Sequence, residues 1–164
     1  MSKKPLLLLQ MGEPPQEIAL QVGEQGDWFN TALGGTVGDN PKGLEMGLLP
    51  VTLAADAKND ALLGAFPSQF AAYLTNQQSV LVPPMGARVL ATSQIDDCQI
   101  IRYSDRVLSS QFHPEFTADT MLACIERNEG TLKRLGRDID LMRQLREEPI
   151  WARRLLLDFV NRFA

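Results

Sequence analysis

The sequence predicts an α/β fold, and three observations carry that expectation. The apolar run Leu6 to Met11, ended by Gly12-Glu13-Pro14-Pro15, reads as a strand buried on both faces of a parallel sheet. A middle stretch from Met46 to Phe112 alternates strand-like runs with turns. Beyond Phe116 the pattern turns helical. A chain of 164 residues, 45% hydrophobic and 22% charged, forms one domain with enough apolar mass for a core.

After the first strand, Gln16 to Leu33 contains a helical pattern on Ile18, Val22, Trp28 and Phe29, broken by Gly23 and Gly26. Gly34 to Gly43 is turn-rich, and its glycines and Lys42 lack the spacing of a phosphate loop. Met46 to Leu53 reads as a strand, Ala57 to Phe66 as a short helix ended by Pro67, and Gln69 to Leu74 as a strand. Asn76 to Ser79 is a polar loop, and Val80 to Val82 leads into the turn Pro83-Pro84-Met85-Gly86. Ala87 to Ser93 and Cys98 to Tyr103 are strands. Ser104-Asp105 then turns the chain into Arg106 to Phe112, making a hairpin. Thr117 is positioned to cap a helix carrying Met121, Leu122 and Ile125. Pro149 opens the last helix, whose inner side is read as Leu156, Phe159, Val160 and Phe163.

A net charge of −4 argues against nucleic acid as a partner. No apolar run reaches membrane-spanning length. Leu6 to Leu9 is too short for the core of a signal peptide, and no small-residue cleavage site follows it. Cys98 and Cys124 give neither a disulfide framework nor metal-ligand spacing. With a single histidine, no metal site is expected. A reducing cytoplasm is the expected compartment.

The chemistry concentrates at Ser109-Ser110-Gln111-Phe112-His113-Pro114-Glu115-Phe116, entered through the apolar Val107 and Leu108. His113 is the only histidine, and Glu115 lies two residues on. An imidazole with a neighbouring carboxylate has the makings of a general base and its orienting partner. Asp96-Asp97 could be read as paired carboxylates, but adjacent strand residues face opposite ways, so a turn is the better reading.

Four collinear segments resemble the class I glutamine amidotransferases, and most of all their GMP synthase-like glutaminase domains. Leu33-Gly34-Gly35-Thr36-Val37 resembles the turn after the nucleophile's helix. Glu45-Met46-Gly47 resembles the opening of the next strand. Val82-Pro83-Pro84-Met85-Gly86-Ala87 with Leu90-Ala91-Thr92-Ser93 resembles a further family pattern, and Gln111 to Phe116 resembles the His/Glu end of the catalytic triad. Leu6 to Gly12 is also similar to the family's opening strand. The resemblance implies a flavodoxin-like, mostly parallel sheet with flanking helices and a C-terminal antiparallel hairpin. It implies hydrolysis of glutamine to glutamate and ammonia, with His113 as general base and acid and Glu115 as its orienter. It implies no cofactor for that step, and a synthetase or other ammonia acceptor as partner.

One block of the family pattern has no counterpart here. The nucleophile elbow Gly-x-Cys-x-Gly occurs nowhere, and Asp27-Trp28-Phe29-Asn30 runs straight into Thr31-Ala32-Leu33. The chain reads as one domain truncated in its centre, with a junction near residues 30–31, and is expected to be inactive on glutamine. Asn76 stands where members often carry a histidine. Cys98 is the substitute nucleophile to consider: across the hairpin it would lie opposite about Gln111, diagonal to His113. A one-residue slip would turn it to the other face. Cys124 reads as a core residue. Two alternatives stay open: a non-catalytic binding or regulatory module on the same fold, and an enzyme that takes its nucleophile from another copy in a swapped homodimer.

Overall fold

The computed structural model describes residues 34–163. The expected first strand, the helix within 16–33 and the junction near 30–31 lie outside them. The described elements are β1 (Thr36–Asp39), β2 (Glu45–Leu53), a 3-10 turn (Ala55–Asn59), β3 (Gln69–Asn76), β4 (Gln78–Val82), β5 (Arg88–Thr92), β6 (Ile100–Ser104) and β7 (Val107–Ser110). The helices α1 (Ala118–Arg127), α2 (Glu129–Arg134), α3 (Ile139–Gln144) and α4 (Ile150–Phe163) follow.

The strands form a five-stranded sheet in the order β3-β2-β5-β6-β7 and a two-stranded sheet β1-β4. Every pairing is antiparallel. The mostly parallel sheet that the resemblance implied is therefore not found among the described residues. The reason is topological. Parallel neighbours need a crossover of a dozen or more residues, usually helical. Here α1 to α4 all follow the last strand, so no helix connects two described strands.

The apolar runs of β2 and β3 are nonetheless buried on both faces. Side chains of a strand alternate between faces. Phe70, Ala72 and Leu74 of β3, with Val51 of β2, pack into one cluster with Ala152, Leu155 and Phe159 of α4. Tyr73 and Met46 point into the other, with Met121, Ile125, Leu132 and Ile139 of the remaining helices. The β2–β3 pair is thus the middle layer of an α-β-α sandwich. A third cluster, Val80, Cys98 and Ile101, joins the two sheets.

Four sequence expectations are corrected. The helix over Ala57 to Phe66 is instead the 3-10 turn followed by further turns. The buried Asp60 ends it: its carboxylate accepts from Leu62 N at 2.9 Å and takes Arg102 in a two-pronged pair at 2.8 and 2.9 Å. The turn-rich stretch after Gly34 contains β1, recruited by pairing with β4. The polar loop over Asn76 to Ser79 shrinks to Gln77, where the chain passes from one sheet to the other. The inner face of α4 is Ala152, Leu155 and Phe159, and Val160 is exposed. Arg154, stacked over Trp151 at 5.5 Å, lies on an exposed part of the same helix. Gly47 sits inside β2 at φ +121°, a conformation closed to most side chains, which explains a glycine in a strand.

The Asp60–Arg102 pair yields a stability prediction. Burial alone would raise the Asp60 carboxyl, but Arg102 and the amides of Leu62 and Leu63 outweigh it and hold it below its ordinary 3.8. A depressed folded-state value means the stabilisation is complete above the unfolded-state value. It is lost as the pH falls through the folded one. Asp60→Asn removes the charge but leaves the buried guanidinium, a loss of about 3–5 kcal/mol. Urea unfolding at pH 7 measures it. A loss under about 1 kcal/mol would mean that the pair contributes no more than an exposed one.

Candidate active site

The residues singled out as base and orienter meet in one tight turn. Leaving β7, Ser110 Oγ donates to Phe112 O at 3.1 Å, and the Phe112 ring is buried in the α4-side cluster. The next amide, His113 N, donates to Tyr73 O at 2.9 Å, tying the chain to β3. Pro114 then takes the second position of a β-turn, where its fixed φ is favoured. Phe116 N closes that turn on His113 O at 3.4 Å. Immediately beyond it, Thr117 caps α1 by accepting from Thr120 N at 3.2 Å, as its position in the sequence suggested.

This turn places three side chains together. His113 Nδ1 and Glu115 Oε1 are 2.8 Å apart, with the two side chains 12% and 19% exposed. The Phe116 ring lies on the imidazole, centroids 4.0 Å apart and planes 20° apart. A carboxylate on Nδ1 holds the proton there and leaves the lone pair on Nε2. Glu115 Oε2 is buried with no hydrogen-bond partner among the described residues. The dyad has the orientation of a general base that takes a proton through Nε2.

Behind the turn lies a buried polar network that includes residues from three of the four resembling segments. Ser93 Oγ donates to Glu45 Oε1, and Gln99 Nε2 donates to Glu45 Oε2 at 2.7 Å. Asp96, fully buried, accepts from Ser79 Oγ at 2.8 Å and Cys98 N at 2.7 Å. Its other oxygen faces Asn76 Nδ2 and Gln111 Nε2, each at 3.4 Å. Burial pushes both carboxyls up. Ser93 opposes this at Glu45 while the Asp96 charge adds to it; at Asp96 the amide of Cys98 and the Ser79 hydroxyl oppose it. The turn reading of Asp96-Asp97 holds, since Asp96 N takes Ser93 Oγ at 3.0 Å and Asp97 is an exposed partner of Lys42. The burial of Asp96 was not legible in the sequence. Asn76, at the position where the family often has histidine, reaches this network, and its Oδ1 is buried without a partner among the described residues.

Cys98 lies one residue out of the expected register. Ile100 pairs with Ser110, and Gln111 N donates to Gln99 O at 2.9 Å, so Gln111 faces Gln99. The thiol packs with Val80 and Ile101 and is 5% exposed. Burial, with the charges of Asp96 and Asp97, pushes it from 9.0 up to about 11. Cys124 is half-buried on α1, against the helix-side cluster, and its thiol is raised by burial. Among the described residues no three His, Cys, Asp or Glu side chains gather to hold a metal ion, and no helix is long and apolar enough to cross a membrane.

No protein-family model matches the chain. Over 99 residues it is 31% identical to gamma-glutamyl peptidase 3 of Arabidopsis thaliana, an alignment covering 57% of this chain and 39% of that protein. In fold it is similar to a glutamine amidotransferase from Thermotoga maritima, with a TM-score of 0.64 and 25% identity over 82% of this chain and 56% of that one. A glutamine amidotransferase from Methylobacillus flagellatus matches with a TM-score of 0.63 and 19% identity, over 85% of this chain and 60% of that one. The chain thus spans well under two thirds of the proteins it matches. In fold the chain is similar to glutamine amidotransferases, the family that its motifs resemble, and in sequence to a gamma-glutamyl peptidase.

Proposed function

We propose that the chain descends from an enzyme that hydrolyses the γ-carbonyl amide of glutamine or of a γ-glutamyl compound, and that in its 164-residue form it does not carry out that reaction. The observation that carries the reading is the 2.8 Å His113–Glu115 pair in a sequence without a Gly-x-Cys-x-Gly elbow. In the full reaction a cysteine thiolate attacks the γ-carbonyl carbon and forms a thioester. His113 Nε2 takes the thiol proton and passes it to the departing amine or ammonia. A water then hydrolyses the thioester, with His113 again as base and Glu115 holding the ring. Glutamine and γ-glutamyl peptides present the same carbonyl, so both are substrates to test. The missing block would carry the thiol and the oxyanion donors. One such donor is worth about 2.7–4 kcal/mol of barrier. We read the chain as a single amidotransferase-like domain with an internal deletion near residues 30–31, placed in the cytoplasm; the family reaction itself calls for no cofactor. Its family partner is a synthetase or other ammonia acceptor.

A second reading, a non-catalytic binding module or one member of a swapped homodimer, is favoured by one observation. Leu81, Val82 and Met85, at and just past β4, are each exposed. Exposed apolar side chains are what a binding surface would use.

Two measurements test these readings. Purified chain of verified mass is expected to release no ammonia from glutamine, and no glutamate from a γ-glutamyl dipeptide, above a His113→Ala control. Release that depends on His113 would show that a nucleophile is present and that the inactive reading is wrong. The second concerns Cys98. With its thiol at about 11, roughly one molecule in ten thousand carries the thiolate at pH 7. Native chain should therefore resist iodoacetamide at Cys98 at pH 7, and labelling should climb as the pH approaches 11. Peptide mass spectrometry reads this directly, and rapid labelling of folded protein at pH 7 would restore Cys98 as a nucleophile.

A further inference from the structure

The His113 imidazole is held by a second group besides Glu115. Its face lies against the Phe116 ring at 4.0 Å and 20°, and Phe116 in turn packs against the cluster of Met46, Tyr73, Met121 and Ile125. The turn that closes Phe116 N on His113 O brings these two side chains together as its first and last members. Glu115 fixes one edge of the imidazole by a single hydrogen bond, about which the ring can still swing. A flat aromatic surface anchored in the core removes that freedom, because the offset stacked arrangement is lost once the ring tilts. We propose that Phe116 is a positioning residue for His113: it locks the imidazole plane so that Nδ1 stays on Glu115 and Nε2 faces outward. This rests on the reading of His113 and Glu115 as a dyad, and the test separates the two.

His113 is the only histidine in the chain, so its ring nitrogens give unambiguous resonances in a 15N-labelled sample. The nitrogen shifts of the neutral ring at alkaline pH report which nitrogen carries the proton. The wild-type chain is expected to hold the proton on Nδ1. Phe116→Leu should raise the Nε2–H population severalfold and remove the ring-current displacement of the imidazole protons. Phe116→Trp, which keeps an aromatic face, should stay close to wild type. Phe116→Met, longer and unbranched, serves as the second ringless variant where the leucine one unfolds by circular dichroism. A tautomer ratio that the ringless variants leave unchanged, while Glu115→Gln shifts it, overturns the proposal and spares the dyad. A ratio that neither kind of variant shifts overturns both.

Discussion

Tyr73 is the constraint on which the rest of the described fold turns. Its carbonyl accepts the His113 amide at 2.9 Å, its hydroxyl donates to Glu147 O at 2.9 Å, and its ring is fully buried among Met46, Met121 and Ile125. One residue thus joins the central strand pair, the His113 turn and the segment between α3 and α4. Removing the hydroxyl would leave a carbonyl with one partner fewer, but the backbone bond to His113 belongs to the strand and survives any substitution. The turn is therefore held by sheet geometry first and by side chains second. Phe112, buried on the opposite face, completes the grip: consecutive residues 112 and 113 are fastened one through its ring and the other through its amide.

The buried carboxyls divide into two kinds that respond to acid in opposite directions. Asp60 has a guanidinium and is held below its ordinary value, so its contribution fades as the pH drops through the folded-state value. Among the described residues Glu45 and Asp96 have hydroxyl, amide and backbone donors but no cation as hydrogen-bond partners, and burial raises them both. A raised folded-state value means that the charged form costs stability. That cost is greatest above the raised value and is relieved as the pH falls through it. Mild acid accordingly eases the Glu45–Asp96 network before stronger acid takes away the Asp60–Arg102 pair. Gln111 hangs from Asp96 and stands two residues before His113, so the network adjoins the turn.

What the sequence made legible was local. The Thr117 cap and the β6–β7 hairpin depend on residues a few positions apart, and threonine and alternating apolar residues announce them. What it hid was long-range. The Ala57 to Phe66 segment has helical spacing, but Asp60 is captured by Arg102, 42 residues away, and turns win over the helix. Asp96 looks like any turn aspartate until Ser79, Asn76 and Gln111 arrive from three other segments to bury it. The register of Cys98 slipped by a single residue, which is enough in a strand to change its face. That β2 and β3 are strands was legible; that both of their faces are covered depends on helices that come after every strand in the chain.

The same contrast bears on what the His113–Glu115 pair is evidence of. Its geometry is made by a four-residue turn, one backbone bond to β3 and one aromatic neighbour, all within the described residues. None of these contacts involves a nucleophile. A triad has a short-range half, His and Glu on one turn, and a long-range half, the thiol and oxyanion amides brought in by other parts of the fold. The short-range half has no energetic reason to decay when the long-range half is lost, because packing and backbone pairing hold it independently of chemistry. A well-formed His-Glu pair therefore testifies to the local fold rather than to activity. Activity is a property of the juxtaposition with a thiol, and in this chain the Cys98 thiol is packed with Val80 and Ile101 and raised to about 11.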